Sequence, residues 1–346
     1  MAVRVVITGA SGNVGTALLT GLAEAGGYEV VGVTRRRPPD AGIYRSASWH
    51  QQDLAEPDAA ENLKPILRDA DAVVNLAWGF QPTRNIDYLE AVGVGGTRAV
   101  LTAADAVGVG HLLHMSSVGA YAPGRYGQYV DESWSTAGVP TSAYSRHKSA
   151  AERLLDDYEA RKPDGLTITR MRPGFIVQRN AAGGLRRYAL PALVEPKWLR
   201  FLPVLPLDRA LVVPLIHADD VAAAYVAAIE KKAPGPFNLM TEPPVRREDV
   251  ARAIGAKPVH VPSSLLRSAV ALSWRARLQP IDEGWLDLAF AVPLLDTARA
   301  RRDWAGRRAT PPPRRWPTWA TGSCTAARPR ARCSSIDRLS PTSGAT

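Results

Sequence analysis

The chain has 346 residues, 46% hydrophobic and 22% charged. That is the balance of a folded globular protein, long enough for two domains or for one large α/β domain with an appended lobe, and it excludes a disordered chain, a collagen and a disulfide-stapled miniprotein. The formal charge of +10 sits in residues 299–346, which hold eleven Arg, no Lys and two Asp and leave the rest near +1, so the body carries no specific nucleic-acid signal.

Val3–Thr8 reads as a buried-type strand and Asn13–Ala25 as a helix with Val14, Leu18, Leu19 and Leu22 on one face. Tyr28–Thr34 is the next strand. A helix at about Glu61–Arg68 precedes the strand Ala72–Ala77. A long helix at about Asn85–Val107 leads to the strand His111–Ser116, and a helix at Ala143–Arg161 to the strand Leu166–Arg172. This alternation predicts a doubly wound parallel sheet of the Rossmann type, with right-handed crossovers. Residues 180–216 are rich in Leu, Pro and Arg without a clear period. Ala218–Lys231 returns to a helix, Pro236–Met240 to a strand, and 246–296 is mostly helical. The expected division is a nucleotide-binding domain over 1–175, with a contribution from about 215–240, and a smaller C-terminal α/β substrate lobe over 176–303.

Residues 304–346 form a tail of foreign composition, containing Pro311-Pro312-Pro313-Arg314-Arg315 and both cysteines, Cys324 and Cys333. It reads either as a disordered basic extension or as a shifted reading frame. Asp303-Trp304-Ala305-Gly306 is what GAC CTG GGC TGG G, encoding Asp-Leu-Gly-Trp, becomes on loss of one C. A body without cysteine has no disulfide and no thiolate chemistry. No run approaches 18 apolar residues, and Met1–Ile7 has no signal-peptide plan, so the expectation is a cytoplasmic protein that uses no membrane. The six histidines show no metal-ligand spacing. His114 and His217 are expected to be structural, and Asp219 or Asp220 to cap a helix starting near Val221.

Thr8-Gly9-Ala10-Ser11-Gly12-Asn13-Val14-Gly15 lies between the first strand and the first helix. Gly9, Gly12 and Gly15 permit a tight turn and a close approach of backbone to a pyrophosphate, beside the free N–H groups of Asn13, Val14 and Gly15. In a βαβ opening this spacing signals a dinucleotide site. The second strand ends Val33-Thr34-Arg35-Arg36-Arg37, with no acid to accept the ribose 2′-hydroxyl. Thr34 and Arg35 therefore favour NADP over NAD, because a guanidinium clamps a 2′-phosphate. Asp53-Leu54 follows a third strand, where Asp53 can accept from the adenine amino group. Asn75-Leu76-Ala77-Trp78 closes the fourth; Leu76 and Ala77 border the cofactor, and Trp78 and Phe80 lie near nicotinamide or substrate.

Ser116-Ser117 ends the fifth strand, and Tyr144-Ser145-Arg146-His147-Lys148 lies on the following helix. Tyr144 and Lys148 are four apart and share a face. An ammonium there favours the phenolate, lowers a phenol pKa that starts near 10, and can bond the nicotinamide ribose. Ser117 holds the substrate oxygen near Tyr144, so that proton transfer accompanies hydride transfer.

With these motifs the chain resembles the extended short-chain dehydrogenase/reductases, in their NAD(P)-dependent epimerase/dehydratase branch. The resemblance covers about residues 3–303. Its further marks are Ala151-Glu152, Arg172-Pro173-Gly174 and His217-Ala218-Asp219-Asp220-Val221. It implies Tyr144 as general acid/base, Lys148 as its partner and Ser117 as substrate anchor, with Pro173 beside the cofactor, a small-molecule substrate and a homodimer built on two helices per subunit. Many sugar-nucleotide enzymes of the family have Asn where this chain has Phe175, and Asn in the motif that here reads Gly93-Val94-Gly95-Gly96-Thr97. Phe175, Trp78, Phe80 and the segment 189–206 suggest an apolar pocket. Three readings stand: hydride transfer at a hydroxyl or carbonyl carbon in an epimerase or dehydratase, with a sugar nucleotide as one candidate substrate; an NADPH-dependent reductase or dehydrogenase of a small apolar carbonyl compound; and a non-catalytic NADP-binding regulator.

Overall fold

The computed structural model describes residues 2–79, 85–178, 203–279 and 281–304. Phe80, most of the 180–216 stretch and residues 305–346 lie outside them.

Seven parallel strands form the central sheet: β1 (Val3–Thr8), β2 (Tyr28–Thr34), β3 (Ser48–Gln51), β4 (Ala72–Asn75), β5 (His111–Met115), then β7 (Thr167–Pro173) and β12 (Gly235–Leu239) after a short β6 (Tyr129–Val130). Their order is β3-β2-β1-β4-β5-β7-β12. The order reverses between β1 and β4, which opens a crevice beyond the strands' carboxyl ends. β1 reads Val-Arg-Val-Val-Ile-Thr, and Val5, Val6 and Ile7 are fully buried, as helices on both faces require of a central parallel strand.

One face carries α1 (Asn13–Ala25) and α6 (Ala218–Lys231), packed so closely that a Cβ on Gly21 would lie 3.6 Å from Val226. Leu18, Leu19 and Leu22 lose essentially all solvent contact there, each contributing about 1.5–3 kcal/mol. The other face carries α2 (Ala59–Leu67), α4 (Gly96–Ala106) and α5 (Ala143–Arg161), whose Leu63, Leu67, Val100 and Leu155 join Val6 and Val73 in a second core. Trp304, first residue of the expected tail, is buried against Phe237 with ring centroids 4.4 Å apart. It follows the short α10 (Ala298–Asp303).

The long helix expected over 85–107 is present from Ile86 to Ala106, with one π-helical turn inside it. α3 (Ile86–Glu90) passes into a π-helical turn, Ala91–Gly95, before α4 begins. Glycines in and just after that turn allow close approaches. A Cβ on Gly93 would lie 3.0 Å from the Trp78 indole, and one on Gly96 would lie 2.9 Å from Leu54. The helix expected over Ala218–Lys231 has those bounds, starting before the Val221 that an aspartate cap would imply. Its cap is neither aspartate but His217, whose Nδ1 accepts the Asp219 N–H at 3.3 Å.

Outside the central sheet, β8 (Phe175–Val177) pairs with β11 (Leu215–His217), β9 (Val204–Leu207) with β14 (Lys257–His260), β10 (Val212–Val213) with β13 (Val245–Arg246) and β15 (Leu294–Leu295) with β6, and the later helices are α7 (Arg247–Ile254), α8 (Ser263–Arg275) and α9 (Glu283–Ala291). Leu288, Val292, Leu294 and Leu295 share a third core with Val118, Tyr121 and Val130. Among the described residues no helix is long and apolar enough to cross a membrane.

Candidate active site

At the crevice, Gly9 has φ +72° and its Cβ position lies 2.8 Å from the Ala77 nitrogen, so no side chain fits between β1 and β4. The Cβ position of Gly15 lies 2.5 Å from the Ala10 carbonyl oxygen, which fixes α1 directly on the turn. No described side chain caps α1 at Gly12, and its first turn contains no acid. Its leading N–H groups, Asn13, Val14 and Gly15 among them, have no intrahelical partners and carry a partial positive charge. Asn13 Oδ1 and Thr34 Oγ1 are buried without a hydrogen-bond partner among the described residues. A glycine-lined cradle, a free helix N-terminus and two orphaned polar atoms on its rim fit a dinucleotide. Leu76 and Ala77 follow β4 along the crevice, and the Leu76 N–H donates to the Thr8 carbonyl at 3.1 Å. Leu54 is buried against α4.

The strand ends beside the cradle are tied together. Thr8 Oγ1 donates to Asn75 Oδ1 at 2.7 Å, and the Asn75 amide nitrogen lies 3.3 Å from His114 Nδ1. Burial holds the His114 imidazole down to about 3, so it is neutral and structural.

The structure brings Ser117, Tyr144, Lys148 and Trp78 together. Ser117 starts a short turn, and its Oγ accepts the Gly119 N–H at 3.0 Å. Burial pushes the Tyr144 phenol up to about 12, opposed by a hydrogen bond with the Ser117 side chain. Trp78 meets the Tyr144 ring edge-on at 6.4 Å, and Trp285 of α9 stacks on it at 5.6 Å. Lys148 is 1% exposed. Its Nζ donates to the Met115 carbonyl at 2.6 Å and lies 3.4 Å above the Trp78 ring. Burial lowers its pKa well below the usual lysine value, and Glu152 opposes that. At Tyr144 burial is the larger influence, and the net shift of the phenol is upward. Gly79, Ile86, Leu89, Ser142, His147 and Asp282 complete the hollow beside Tyr144 and Trp285. Pro173 ends β7, and Phe175 packs partly buried in the same apolar cluster as Tyr144 and Trp285.

Gly119 makes room for the tyrosine, since a Cβ there would stand 2.8 Å from Tyr144 Cε1. Gly119→Ala is expected to displace the ring and lower kcat by about 10²-fold, the scale of a misplacement of roughly 1 Å. Steady-state kinetics and a crystal structure of the variant check this.

Sequence reading missed two features. Trp285 lies 141 positions after Tyr144 in the chain, and nothing local marks it. The second is a buried polar network beneath α5. Glu152 lies one turn beyond Lys148. Its Oε1 accepts from Ser116 Oγ and from Arg172 Nε at 2.8 Å, and its Oε2 from Arg172 Nη2 at 2.9 Å and Arg170 Nη1 at 3.0 Å. Arg172 also donates to Tyr121 Oη at 3.0 Å, and Tyr121 donates to Asn238 Oδ1 at 2.7 Å. Ser116 is thus a structural partner of Glu152. Among the described residues there is no cluster of three or more metal-ligating side chains.

The fold and this site define an NAD(P)-binding enzyme of the extended short-chain dehydrogenase/reductase type. A sequence model for the NAD dependent epimerase/dehydratase family matches residues 5–239, and the chain belongs to that family. It is 32% identical over 144 residues to the decarboxylating sterol-4-alpha-carboxylate 3-dehydrogenase of Saccharomyces cerevisiae. That stretch is 41% of this chain and 40% of the yeast enzyme. An uncharacterized epimerase/dehydratase of Staphylococcus aureus is 26% identical over 237 residues, 66% of this chain and 70% of that protein. Among solved structures, UDP-glucose-4-epimerase from Stenotrophomonas maltophila, with bound NAD and formylated UDP-arabinopyranose, superposes with a TM-score of 0.65 at 21% identity, over 89% of this chain and 94% of that one. The terminal R domain of the myxalamid pathway gives 0.69 at 18% identity, over 93% and 89%.

Proposed function

We propose that this protein is an NADPH-dependent reductase, or the reverse dehydrogenase, of a small apolar carbonyl or hydroxyl compound. The observation that carries this reading is the aromatic slot at Tyr144, walled by Trp78 and Trp285 and bordered by Ile86, Leu89 and Phe175. The ring faces reward apolar surface, while Ser142, His147 and Asp282 set a few polar groups at the slot's edge. The name of the yeast relative, a 3-dehydrogenase acting on a sterol carboxylate, agrees with oxidation and reduction at a carbon on an apolar body.

Asn13 and the first turn of α1 hold the pyrophosphate, Thr34 and Arg35 the adenosine ribose and its 2′-phosphate, and Asp53 the adenine. Arg35 at the end of β2, with no acid beside it, supports NADP over NAD. Bound there, the dinucleotide supplies the hydride. Ser117 Oγ and Tyr144 Oη hold the substrate carbonyl oxygen. As the carbonyl carbon gains the hydride, the C=O π bond breaks and Tyr144 donates its phenolic proton to the oxygen, giving an alcohol. The phenolate left behind is stabilised by the Lys148 ammonium and takes a proton from solvent. A phenol held near 12 is a proton donor throughout the neutral range. The groove between α4 and α5, lined by Leu101, Leu154 and Tyr158 among charged groups, is the homodimer surface in this reading.

The test is to incubate the protein with NADPH and a set of aryl, alicyclic and terpenoid ketones and aldehydes, and separately with NAD and UDP-glucose. Stoichiometric NADPH loss with alcohol formation is the expected result. Interconversion of the nucleotide sugar with no reduction of any carbonyl would return the protein to the epimerase reading.

A further inference from the structure

Tyr88 received no role above, yet its side chain spans the adenosine end of the crevice. Its hydroxyl donates to Asp53 Oδ2 at 3.1 Å. The same oxygen accepts a hydrogen bond from Arg35 Nη1, and the Arg35 guanidinium lies 5.8 Å from the Tyr88 ring centroid. Asp53 is held from its other side, where Oδ1 accepts the Ala55 N–H at 3.0 Å. Asn85 Oδ1 fixes the start of α3 by accepting the Tyr88 N–H at 3.1 Å. The ends of β2 and β3 and the helix after β4 are thereby joined by one phenol.

We infer that Tyr88 is a positioning residue for cofactor choice: it holds Arg35 across the mouth of the adenosine site so that its guanidinium meets a 2′-phosphate. This rests on the NADP reading of Arg35. An exposed arginine samples many rotamers, and each must be given up when a ligand is clamped. Tyr88 removes that loss by holding the arginine in place beforehand. Its hydroxyl proton is at the same time given to Asp53 Oδ2, which fixes the direction in which the phenol oxygen accepts from Arg35.

The experiment measures dissociation constants of NADPH and NADH for the full chain by isothermal titration calorimetry, in wild type, Tyr88→Phe, Arg35→Ala and the double variant. Tyr88→Phe keeps the ring and loses only the hydroxyl. It is expected to weaken NADPH about fivefold, the worth of one hydrogen bond, with NADH unchanged. Arg35→Ala is expected to weaken NADPH about tenfold or more. The double variant should match Arg35→Ala alone, because without the arginine there is nothing to position. If Arg35→Ala lowers the NADPH preference and Tyr88→Phe does not, the positioning role is wrong and the NADP reading stands. If Arg35→Ala leaves the NADPH to NADH ratio unchanged, the NADP reading itself fails. Equal weakening of both nucleotides by Tyr88→Phe would reduce Tyr88 to a structural part of the crevice wall and overturn the inference.

Discussion

Tyr144→Phe is expected to lower turnover by about 10²–10⁴-fold while the dinucleotide still binds, since the change removes one oxygen and leaves the ring between Trp78 and Trp285. The loss should fall on kcat. An intact KM would show that the slot, rather than the hydroxyl, holds the substrate body. The wild-type pH profile is diagnostic as well. Burial keeps the phenol up to about 12, so carbonyl reduction should hold its rate from about pH 6 to about pH 9. Alcohol oxidation, which needs Tyr144 to accept a proton, should accelerate across the same range. A variant with wild-type turnover would remove Tyr144 from the chemistry.

Glu152→Ala is expected to be the most damaging single change to stability. It strips the carboxylate from a site that is fully buried together with Arg170 and Arg172. Arg172 would lose its carboxylate partner while Arg170 keeps Asp156 and Glu159, and breaking a buried pair of this kind costs about 3–5 kcal/mol. For a chain of this size that is a fall in Tm of roughly 4–8 °C. The sign with pH follows from the shift. Burial alone would raise the Glu152 pKa, but the Arg172 and Arg170 charges and their hydrogen bonds hold it down to about 2. A depressed carboxylate stabilises the fold fully above its unfolded value of about 4.3. That contribution declines as the pH falls below this value and is gone below about 2. Thermal scans between neutral pH and about pH 3 should show wild type converging on the variant. Parallel curves would mean that Glu152 contributes by packing rather than charge.

Much of this was legible because it is local. The strand–glycine–helix opening, Val3–Thr8 into Asn13–Ala25, has the same bounds in sequence and structure, since a β-branched run, three glycines and a leucine face all act within one turn of each other. Tyr144 and Lys148 are paired by helix geometry alone, and Glu152 on the same face was within reach of that argument. The π turn at Ala91–Gly95 was not, since the groups nearest Gly93 and Gly96, Trp78 and Leu54, approach from after other strands. Nor was the upward shift at Tyr144. It depends on Trp285, which stacks on the ring from α9, and a helical spacing says nothing about desolvation. His217 as a cap ran against propensity; its imidazole nitrogen serves because β11 delivers it to the start of α6.

The edge strand β12 bears on how the molecule comes to exist. Gly235–Leu239 is the seventh strand of the sheet, laid beside β7, and Asn238 receives the Tyr121 hydroxyl and gives its amide to the Val130 carbonyl at 3.1 Å. The polar network under α5 is therefore closed by a residue made long after the residues it supports. During synthesis from the N-terminus, the nucleotide cradle between β1 and β4 emerges early from local pairings. Tyr121 waits for Asn238, still inside the ribosome. Nucleotide capture and catalytic competence thus mature at different chain lengths, and a nascent chain stopped between β7 and β12 would present the first without the second.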